Sequence, residues 1–286
     1  MTILELKRFF KSELSELYTE AESAELFSIF TYRIVGYDRF QQRRFRDQEV
    51  LLADIDEFKN IISELKTGKP FQQITGETEF YRMTFKVNEH VLIPRPETEE
   101  LLELAIFKMQ DAGCGVQGAE YRMKILDIGT GSGVIPIVLK KHFPNAEVSA
   151  IDFSDEALKV AKENAEIHQT EINYIHQNYL EEELSETYDI IISNPPYIGI
   201  DEEDEIAGSV KDFEPNMALF SPTSDPLIFY RKIADDAKSH LSENGMIFLE
   251  INQKLGAETL ALFNDFTEKR LIKDLSDNDR FIFVRK

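Results

Sequence analysis

The segment Asn194-Pro195-Pro196-Tyr197 ends an apolar run that begins at Ile190, and it combines the residue types needed to hold an amino group. The two prolines lack backbone donors and restrict the residues before them to extended conformations, which leaves rigid carbonyl acceptors. The Asn194 side-chain oxygen and the Pro195 carbonyl can each accept one hydrogen of a planar NH2 group, while the Tyr197 ring covers its face. We predict that all four residues bind substrate and that Asn194, Pro195 and Tyr197 are catalytic.

The chemistry that this arrangement serves is attack by a weak nitrogen nucleophile. The lone pair of an amide or aromatic amine is delocalised, and accepting both of its hydrogens concentrates electron density on nitrogen as it attacks an electrophile. If a cofactor offers a sulfonium methyl group in line with that nitrogen, positioning does much of the remaining work and no strong general base is required. The alternative is a turn that only closes a strand, which two features upstream make less plausible.

The first of these features is the segment Gly129-Thr130-Gly131-Ser132-Gly133, between a predicted strand, 124–128, and a predicted helix, 134–142. Glycines let the backbone turn sharply and approach a ligand closely, with helix amides directed at it. The dinucleotide fingerprint requires glycine where this chain has Val134, so a nicotinamide enzyme fits less well. Alone, such a segment could merely tighten the packing of a strand against a helix.

The second feature is Asp152, which ends the next predicted strand about twenty residues after the glycines, where a ribose hydroxyl pair would be held. Its alternative role is to cap the helix that begins near Asp155, and Ser154 competes for that role. We favour the ribose role. Together with the glycines, Asp152 indicates a nucleoside-bearing cofactor.

Strands and helices alternate from Met123 onward, whereas the first seventy residues carry mainly helical periodicity. The alternation predicts an α/β fold with a mostly parallel sheet that is covered on both faces. Three apolar stripes, of which 51–65 is the clearest, predict a small N-terminal helical bundle. Aromatic and β-branched residues between Thr78 and Ile93 predict a linking β-hairpin. The predicted domains are 1–75, the helical domain; 76–96, the hairpin segment; and 97–286, the catalytic domain.

Charge and composition disfavour several kinds of partner. The formal net charge is −21, whereas a protein that binds duplex nucleic acid presents a basic face to the phosphates. Basic patches such as Arg43-Arg44-Phe45-Arg46 leave that alternative open.

The five histidines lack metal-ligand spacing, so we predict no metal. Cys114, the only cysteine, lies in a Gly-rich linker. The absence of a membrane-length apolar stretch or a signal-like start leads us to expect a soluble, cytoplasmic protein.

Two further segments, Gln73-Ile74-Thr75-Gly76-Glu77-Thr78-Glu79-Phe80 and Val91-Leu92-Ile93-Pro94-Arg95-Pro96-Glu97-Thr98-Glu99, complete a set that covers nearly the whole chain. The set resembles the class I S-adenosylmethionine-dependent methyltransferases. It is most similar to the HemK/PrmC family of protein-(glutamine-N5) methyltransferases, which modify the glutamine of the Gly-Gly-Gln motif in class-1 peptide release factors. The Leu-Ile-Pro-Arg-Pro-Glu-Thr-Glu stretch discriminates, because nucleic-acid methyltransferases share Asn-Pro-Pro-Tyr but generally lack it.

The resemblance implies a Rossmann-like catalytic domain, S-adenosyl-L-methionine as cofactor, and an enzyme that acts on release factors in translation termination. It implies that the helical domain, 1–75, recognises the release factor, without direct contact to nucleic acid or membrane, and we expect a monomer. By position, Gly129 to Gly133 would surround the methionine part of the cofactor, Asp152 its ribose, and Asn178-Tyr179 its adenine, with Phe153 and Asn194 also in contact. Asn194 to Tyr197 would bind the glutamine side chain.

Two positions depart from the family pattern. Asn178 stands where the family usually has Asp, and Asn252 follows Glu250-Ile251 where the family tends to have glycine. Three alternatives stay open: an N6-adenine nucleic-acid methyltransferase, which uses the same acceptor geometry on a flipped or unpaired base, a ribosomal-protein glutamine methyltransferase, and a non-enzymatic binding module. The acidic run Asp201 to Glu205 is a candidate for steering a basic partner.

Overall fold

The computed structural model describes residues 1–113, 122–198 and 208–286, so Cys114 and the acidic run Asp201 to Glu205 lie outside the described residues. Two compact units are present. One holds Met1–Thr75 and Gly208–Phe213, and the other holds the remaining described residues. No helix in the described part of the chain is long and apolar enough to cross a membrane.

The N-terminal unit is built around an aromatic core. Phe27 contacts Phe10 and Phe58, with ring centroids 5.7 Å and 5.6 Å apart. Capping boxes at Thr2 and Thr19 satisfy the free amides of the first two helices and fix where they begin. The helices are α1 (Ile3–Leu14), α2 (Glu20–Val35), α3 (Arg39–Arg44), α4 (Leu52–Lys66) and α5 (Phe71–Thr75). The expected helical bundle is confirmed.

The second unit begins with the predicted hairpin and continues as alternating helices and strands. The hairpin pairs β1 (Glu77–Phe80) with β2 (Met83–Lys86). It is followed by α6 (Pro96–Asp111), β3 (Lys124–Ile128), α7 (Val134–His142), β4 (Glu147–Asp152), α8 (Asp155–Ile167), β5 (Asn173–His176), β6 (Tyr188–Ser193), α9 (Gly208–Phe213, packed with the N-terminal unit), α10 (Asn216–Leu219), α11 (Ile228–His240), β7 (Leu241–Glu250), a 3-10 turn (Gln253–Leu255), α12 (Gly256–Ala261), β8 (Glu268–Lys273) and β9 (Asp279–Arg285).

The seven-stranded sheet has the order β5-β4-β3-β6-β7-β9-β8. The pairs from β5 to β7 are parallel, and β9 is antiparallel to both of its neighbours. The predicted α/β fold with a mostly parallel sheet is therefore confirmed. From β3 the chain moves outward to β4 and β5 and then returns to β6 on the other side of β3, and such a reversal opens a crevice at the carboxyl ends of the strands.

The strand register brings the loops of this crevice to one level. Ile128 at the end of β3 is aligned with Ile151 on one side and with Ser193 on the other. Ser193 is in turn aligned with Leu249 of β7. The glycine segment, Asp152, Asn194 and Glu250 consequently leave four adjacent strands at the same edge of the sheet.

Alternate side chains of each central strand point to opposite faces of the sheet and pack in two separate cores. In β7, Met246 and Phe248 pack in the cluster that contains α6 and α7, while Ile247 and Leu249 pack in the cluster that contains α11. Continuing the two-residue period directs Glu250 to the face that α6 covers. β6 has the same arrangement, with Ile190 and Ile192 on the α6 face, so Asn194 continues that row.

Candidate active site

Asn194 is held by a chain of hydrogen bonds that crosses from β6 to α6 and β7. Its Nδ2 donates to Oγ1 of Thr98 over 3.1 Å, and Oγ1 of Thr98 donates to Oε2 of Glu250 over 2.8 Å. Thr98 is placed by Pro96, which occupies the first turn of α6, where the missing N–H costs no helical bond. Because Nδ2 of Asn194 is used in this hydrogen-bond chain, the side-chain oxygen Oδ1 is the end of the carboxamide that can accept from a ligand.

Glu250 is a carboxyl group almost without solvent contact, at 1% exposure. Burial raises its pKa to about 7, while the hydrogen bond from Thr98 and the positive charge of Arg280 act in the opposite direction. The Tyr230 hydroxyl donates to the Glu250 backbone carbonyl over 3.0 Å and fixes the backbone at this point. Sequence reasoning did not assign Thr98 or Glu250 to the site.

Tyr197 and Asn252 lie beside this chain. Tyr197 packs against the α11 core, and burial, followed by the nearby Glu250 carboxylate, raises the pKa of its phenol. Nδ2 of Asn252 donates to the Tyr197 carbonyl over 3.4 Å, and its Oδ1 accepts from the amide of Lys254. Its φ of −64° needs no glycine. The departure from the family pattern at Asn252 is therefore accommodated, and its side chain supports the Asn194 to Tyr197 segment.

The glycine segment adopts the left-handed backbone that its sequence allows. Gly129, Gly131 and Gly133 have φ values of 75°, 54° and 81°. A Cβ on Gly129 or Gly131 would point into open space, whereas one on Gly133 would approach Ala161 to 3.0 Å. Gly133 therefore serves packing as well as conformation, while the first two glycines keep the backbone accessible to a ligand.

Asp152 and the glycine segment are joined directly. Oδ2 of Asp152 accepts from the amide of Gly131 over 2.8 Å, and Oδ1 accepts from the amide of Ser154 over 2.9 Å. Ser154 itself caps α8 by accepting from Ala157, so the capping role considered for Asp152 belongs to Ser154. Burial raises the pKa of Asp152. Its contact with a ribose stays a prediction.

Asp127 is a fully buried carboxylate on β3, next to the strand that ends at Asp152. Neither of its oxygens, nor Oγ1 of Thr130, has a hydrogen-bond partner among the described residues. Burial raises the Asp127 pKa to about 7, and the nearby Thr130 hydroxyl opposes that rise. Because buried polar groups are normally paired, these atoms fit a ligand that brings donors or positive charge. The sequence signal was Asp127 itself, a carboxylate inside an apolar strand.

The other predicted cofactor residues differ widely in solvent exposure. Ser132 is 3% exposed and Tyr179 is 4% exposed, packed in the α11 core with the Lys232 ammonium 5.2 Å from its ring centroid. Asn178 is half-buried and accepts from the amide of Leu180. Phe153 is 55% exposed beside Asp152. Their contacts with a cofactor stay predictions. The described residues contain no group of three or more His, Cys, Asp or Glu able to hold a metal ion.

Comparisons with known proteins agree with the fold. The model of the methyltransferase small domain matches residues 110–209. The fold is similar to a methyltransferase from Pyrococcus furiosus, with a TM-score of 0.50 and 16% identity over 80% of this chain and 98% of that one. It is also similar to the 16S rRNA N2 G1207 methyltransferase of T. thermophilus solved with AdoMet and guanosine, with a TM-score of 0.50 and 20% identity over 73% and 49%.

Sequence relatives define the family more narrowly. The release factor glutamine methyltransferase of Flavobacterium psychrophilum is 41% identical, over 99% of both chains. That of Streptococcus pneumoniae is 40% identical, over 96% of this chain and 95% of its own. The predicted family is thus confirmed, and the chain belongs to the release factor glutamine methyltransferases.

Proposed function

We propose that this protein transfers a methyl group from S-adenosyl-L-methionine to the side-chain amide nitrogen, N5, of the glutamine in the Gly-Gly-Gln motif of class-1 peptide release factors. The observation that carries the proposal is the orientation of Asn194. Its NH2 group is committed to Thr98, and its carbonyl oxygen is therefore the group that can meet a substrate amide.

Two acceptors, Oδ1 of Asn194 and the carbonyl of Pro195, suit the two hydrogens of a carboxamide nitrogen. One hydrogen of the glutamine NH2 would be accepted by Oδ1 of Asn194 and the other by the Pro195 carbonyl, which draws electron density onto nitrogen. The N–C bond forms as the C–S bond breaks, and the cationic methylated nitrogen then releases one proton to solvent. The chain supplies acceptors and alignment here, and no side chain is required to remove a proton before attack.

The crevice residues fit S-adenosyl-L-methionine. This molecule supplies an electrophilic methyl group on a sulfonium when it is bound. The unpartnered Asp127 oxygens would receive its ammonium group, the accessible Gly129 and Gly131 backbone would lie along its methionine part, and Asp152 would hold its ribose.

The domain division and the partners belong to the same proposal. The N-terminal unit, residues 1–75, would hold the release factor, and residues 76–286 would carry the hairpin and the chemistry. The net charge of −21 supports a protein partner over a nucleic acid. We expect the protein to act as a monomer in the cytoplasm.

The test is transfer of labelled methyl from S-adenosyl-L-methionine to a purified class-1 release factor. A release factor with Gln→Ala in its Gly-Gly-Gln motif is the matched control, and DNA, RNA and ribosomal protein are offered in parallel. We expect label on the intact factor alone. Label on nucleic acid or on ribosomal protein instead would show that the acceptor site is genuine but the substrate assignment wrong, and no turnover of the cofactor with any acceptor would favour a binding module.

A further inference from the structure

The Asn194 carboxamide has two orientations of nearly equal shape, related by a half-turn about its last bond. One presents Oδ1 to the substrate and the other presents Nδ2. A glutamine NH2 group carries only donors for this contact, so only the first orientation accepts a hydrogen from it. If the carboxamide turned, two donors would face each other and the amide nitrogen would not be activated. Something must therefore fix the orientation.

The donor and acceptor capacities of the neighbouring groups fix it. An ionised carboxylate can only accept, so Thr98 must give its single hydroxyl hydrogen to Glu250. Oγ1 of Thr98 can then only accept from its other neighbour. The Asn194 end that faces Thr98 must be the NH2 group, as the 3.1 Å contact has it. The charge on Glu250 thus sets the direction of every hydrogen bond in the chain.

We propose that Thr98 and Glu250 are positioning residues that orient the Asn194 carboxamide, and that methyl transfer requires Glu250 to be ionised. This inference rests on the proposed function, because the substrate amide is the group that Oδ1 must accept. Neither residue needs to touch the substrate. Thr98 is 4% exposed and Glu250 is 1% exposed, which keeps competing water away from both.

Protonation of Glu250 would remove this directionality. A neutral carboxyl can donate to Oγ1 of Thr98. The Thr98 hydroxyl hydrogen is then free to turn toward Asn194 and to donate to Oδ1 of the turned carboxamide. The groups that act on Glu250 are Thr98 and Glu97 of α6, Arg280 of β9, and the phenols of Tyr197 and Tyr230. Since burial places the Glu250 pKa at about 7, the loss falls in an accessible pH range.

Four variants test the inference by steady-state methyl transfer to the release factor at saturating S-adenosyl-L-methionine. Thr98→Val removes the hydroxyl at constant shape, and Thr98→Ser keeps it. Glu250→Gln removes the charge. Thr259→Val is the matched control, because Thr259 is another fully buried threonine whose hydroxyl donates to a backbone carbonyl, in α12.

We expect Thr98→Val to lower kcat at least about tenfold with a smaller change in KM, while Thr98→Ser and Thr259→Val stay close to wild type. The wild-type kcat/KM should fall as the pH is lowered, with an apparent pKa near 7, because this parameter reports the ionisation of Glu250 before the release factor binds. Glu250→Gln should have a lower kcat without that acid limb, because glutamine can donate or accept at Thr98 whatever the pH.

The outcomes are separable. A wild-type kcat in Thr98→Val, an equal loss in Thr98→Ser, or an acid limb retained by Glu250→Gln overturns the positioning role and leaves the proposed function intact. If Glu250→Gln does not fold, the two Thr98 variants decide alone. Absence of methyl transfer by the wild-type protein overturns the proposed function, and this inference with it.

Discussion

Charge differs between residues 1–75 and residues 76–286, both in its net amount and in how many carboxylates are buried. The first region has 11 Lys and Arg against 13 Asp and Glu, a net charge of −2, whereas the second has 21 against 40, a net charge of −19. Within residues 1–75, all of which the structure describes, no carboxylate is buried. The described part of the second region buries four, Asp127, Glu214, Glu250 and Asp274.

The four buried carboxylates themselves fall into two pairs. Glu214 lies 2.6 Å from Arg95, and Asp274 lies 3.1 Å from Arg280, so each has a cationic partner at ion-pair distance. Asp127 and Glu250 have none among the described residues, and burial raises the pKa of both to about 7. Both lie at the carboxyl edge of the sheet. The two buried carboxylates with a cationic partner are thus held in ion pairs, while the two without one lie at the candidate site, where raised pKa values are typical of functional groups.

The largest effect that this comparison predicts is on catalysis, in Asn194→Ala. The substitution removes an acceptor that acts on the reacting nitrogen, so kcat should fall on the order of 10²- to 10³-fold. Cofactor affinity, measured by calorimetry, should stay close to wild type. Asn145→Ala, an exposed residue before β4, is the control and should have normal kcat. Retained turnover in Asn194→Ala would remove the assigned role.

The next effect is on stability, in the region without buried charge. Phe58 is fully buried against Phe10 and Phe27, so Phe58→Ala should cost about 3–5 kcal/mol of the unfolding free energy. Hydrogen exchange should show the loss in α1, α2 and α4, with the glycine segment still protected by added cofactor. Phe40→Ala, at a ring that is 69% exposed, should change stability by less than about 0.5 kcal/mol. Equal losses in the two variants would contradict this account of the core.

The sequence predicts some elements with their bounds and fails at others, depending on whether the signal is local. The helix at 134–142 has the predicted bounds, because glycine before it and an apolar face within it are local signals. Leu51, the first residue of the predicted stripe 51–65, is 71% exposed, because it is the cap residue before α4. The polar edge strand β8 was missed because it lacks a buried, alternating face.

The site divides in the same way. Asn194, Asp152 and the glycine segment were predictable because each ends a strand, and strand ends share an edge. The contact of Thr98 with Glu250 was not predictable, since it depends on the register of β6 against β7 and on the packing of α6, which no local pattern encodes. One signal was present: Glu250 continues the buried Met246 and Phe248 row, where a carboxylate needs an explanation.

The third prediction concerns Asp127. Its folded pKa of about 7 lies above the ordinary value of 3.8, so between these pH values the folded protein holds a proton that the unfolded chain has released. Rising pH therefore lowers the unfolding free energy, by up to about 4 kcal/mol for a shift of this size. Asp127→Asn should lose that part of the pH dependence in the cofactor-free protein, and it should bind cofactor more weakly by calorimetry.

Glu214→Gln is the contrasting variant for Asp127→Asn. It should destabilise the protein, because it leaves the Arg95 guanidinium without its carboxylate. Denaturant unfolding at about pH 5 and pH 8 measures both variants. If Asp127→Asn had the wild-type pH slope, or if Glu214→Gln did not destabilise the protein, the distinction between buried carboxylates with and without a cationic partner would be wrong.

The smallest predicted effect tests the charge difference itself. The exposed carboxylates of residues 76–286, a region of net charge −19, repel one another, and added salt screens that repulsion beyond a Debye length. Raising NaCl from about 0.05 M to about 0.5 M should therefore slow hydrogen exchange in the sheet by an amount worth roughly 1 kcal/mol. Exchange in α1, α2 and α4, which belong to the nearly neutral region, should change less. An equal change in both regions would mean that salt acts through general effects on burial, because self-repulsion must scale with the net charge of each region.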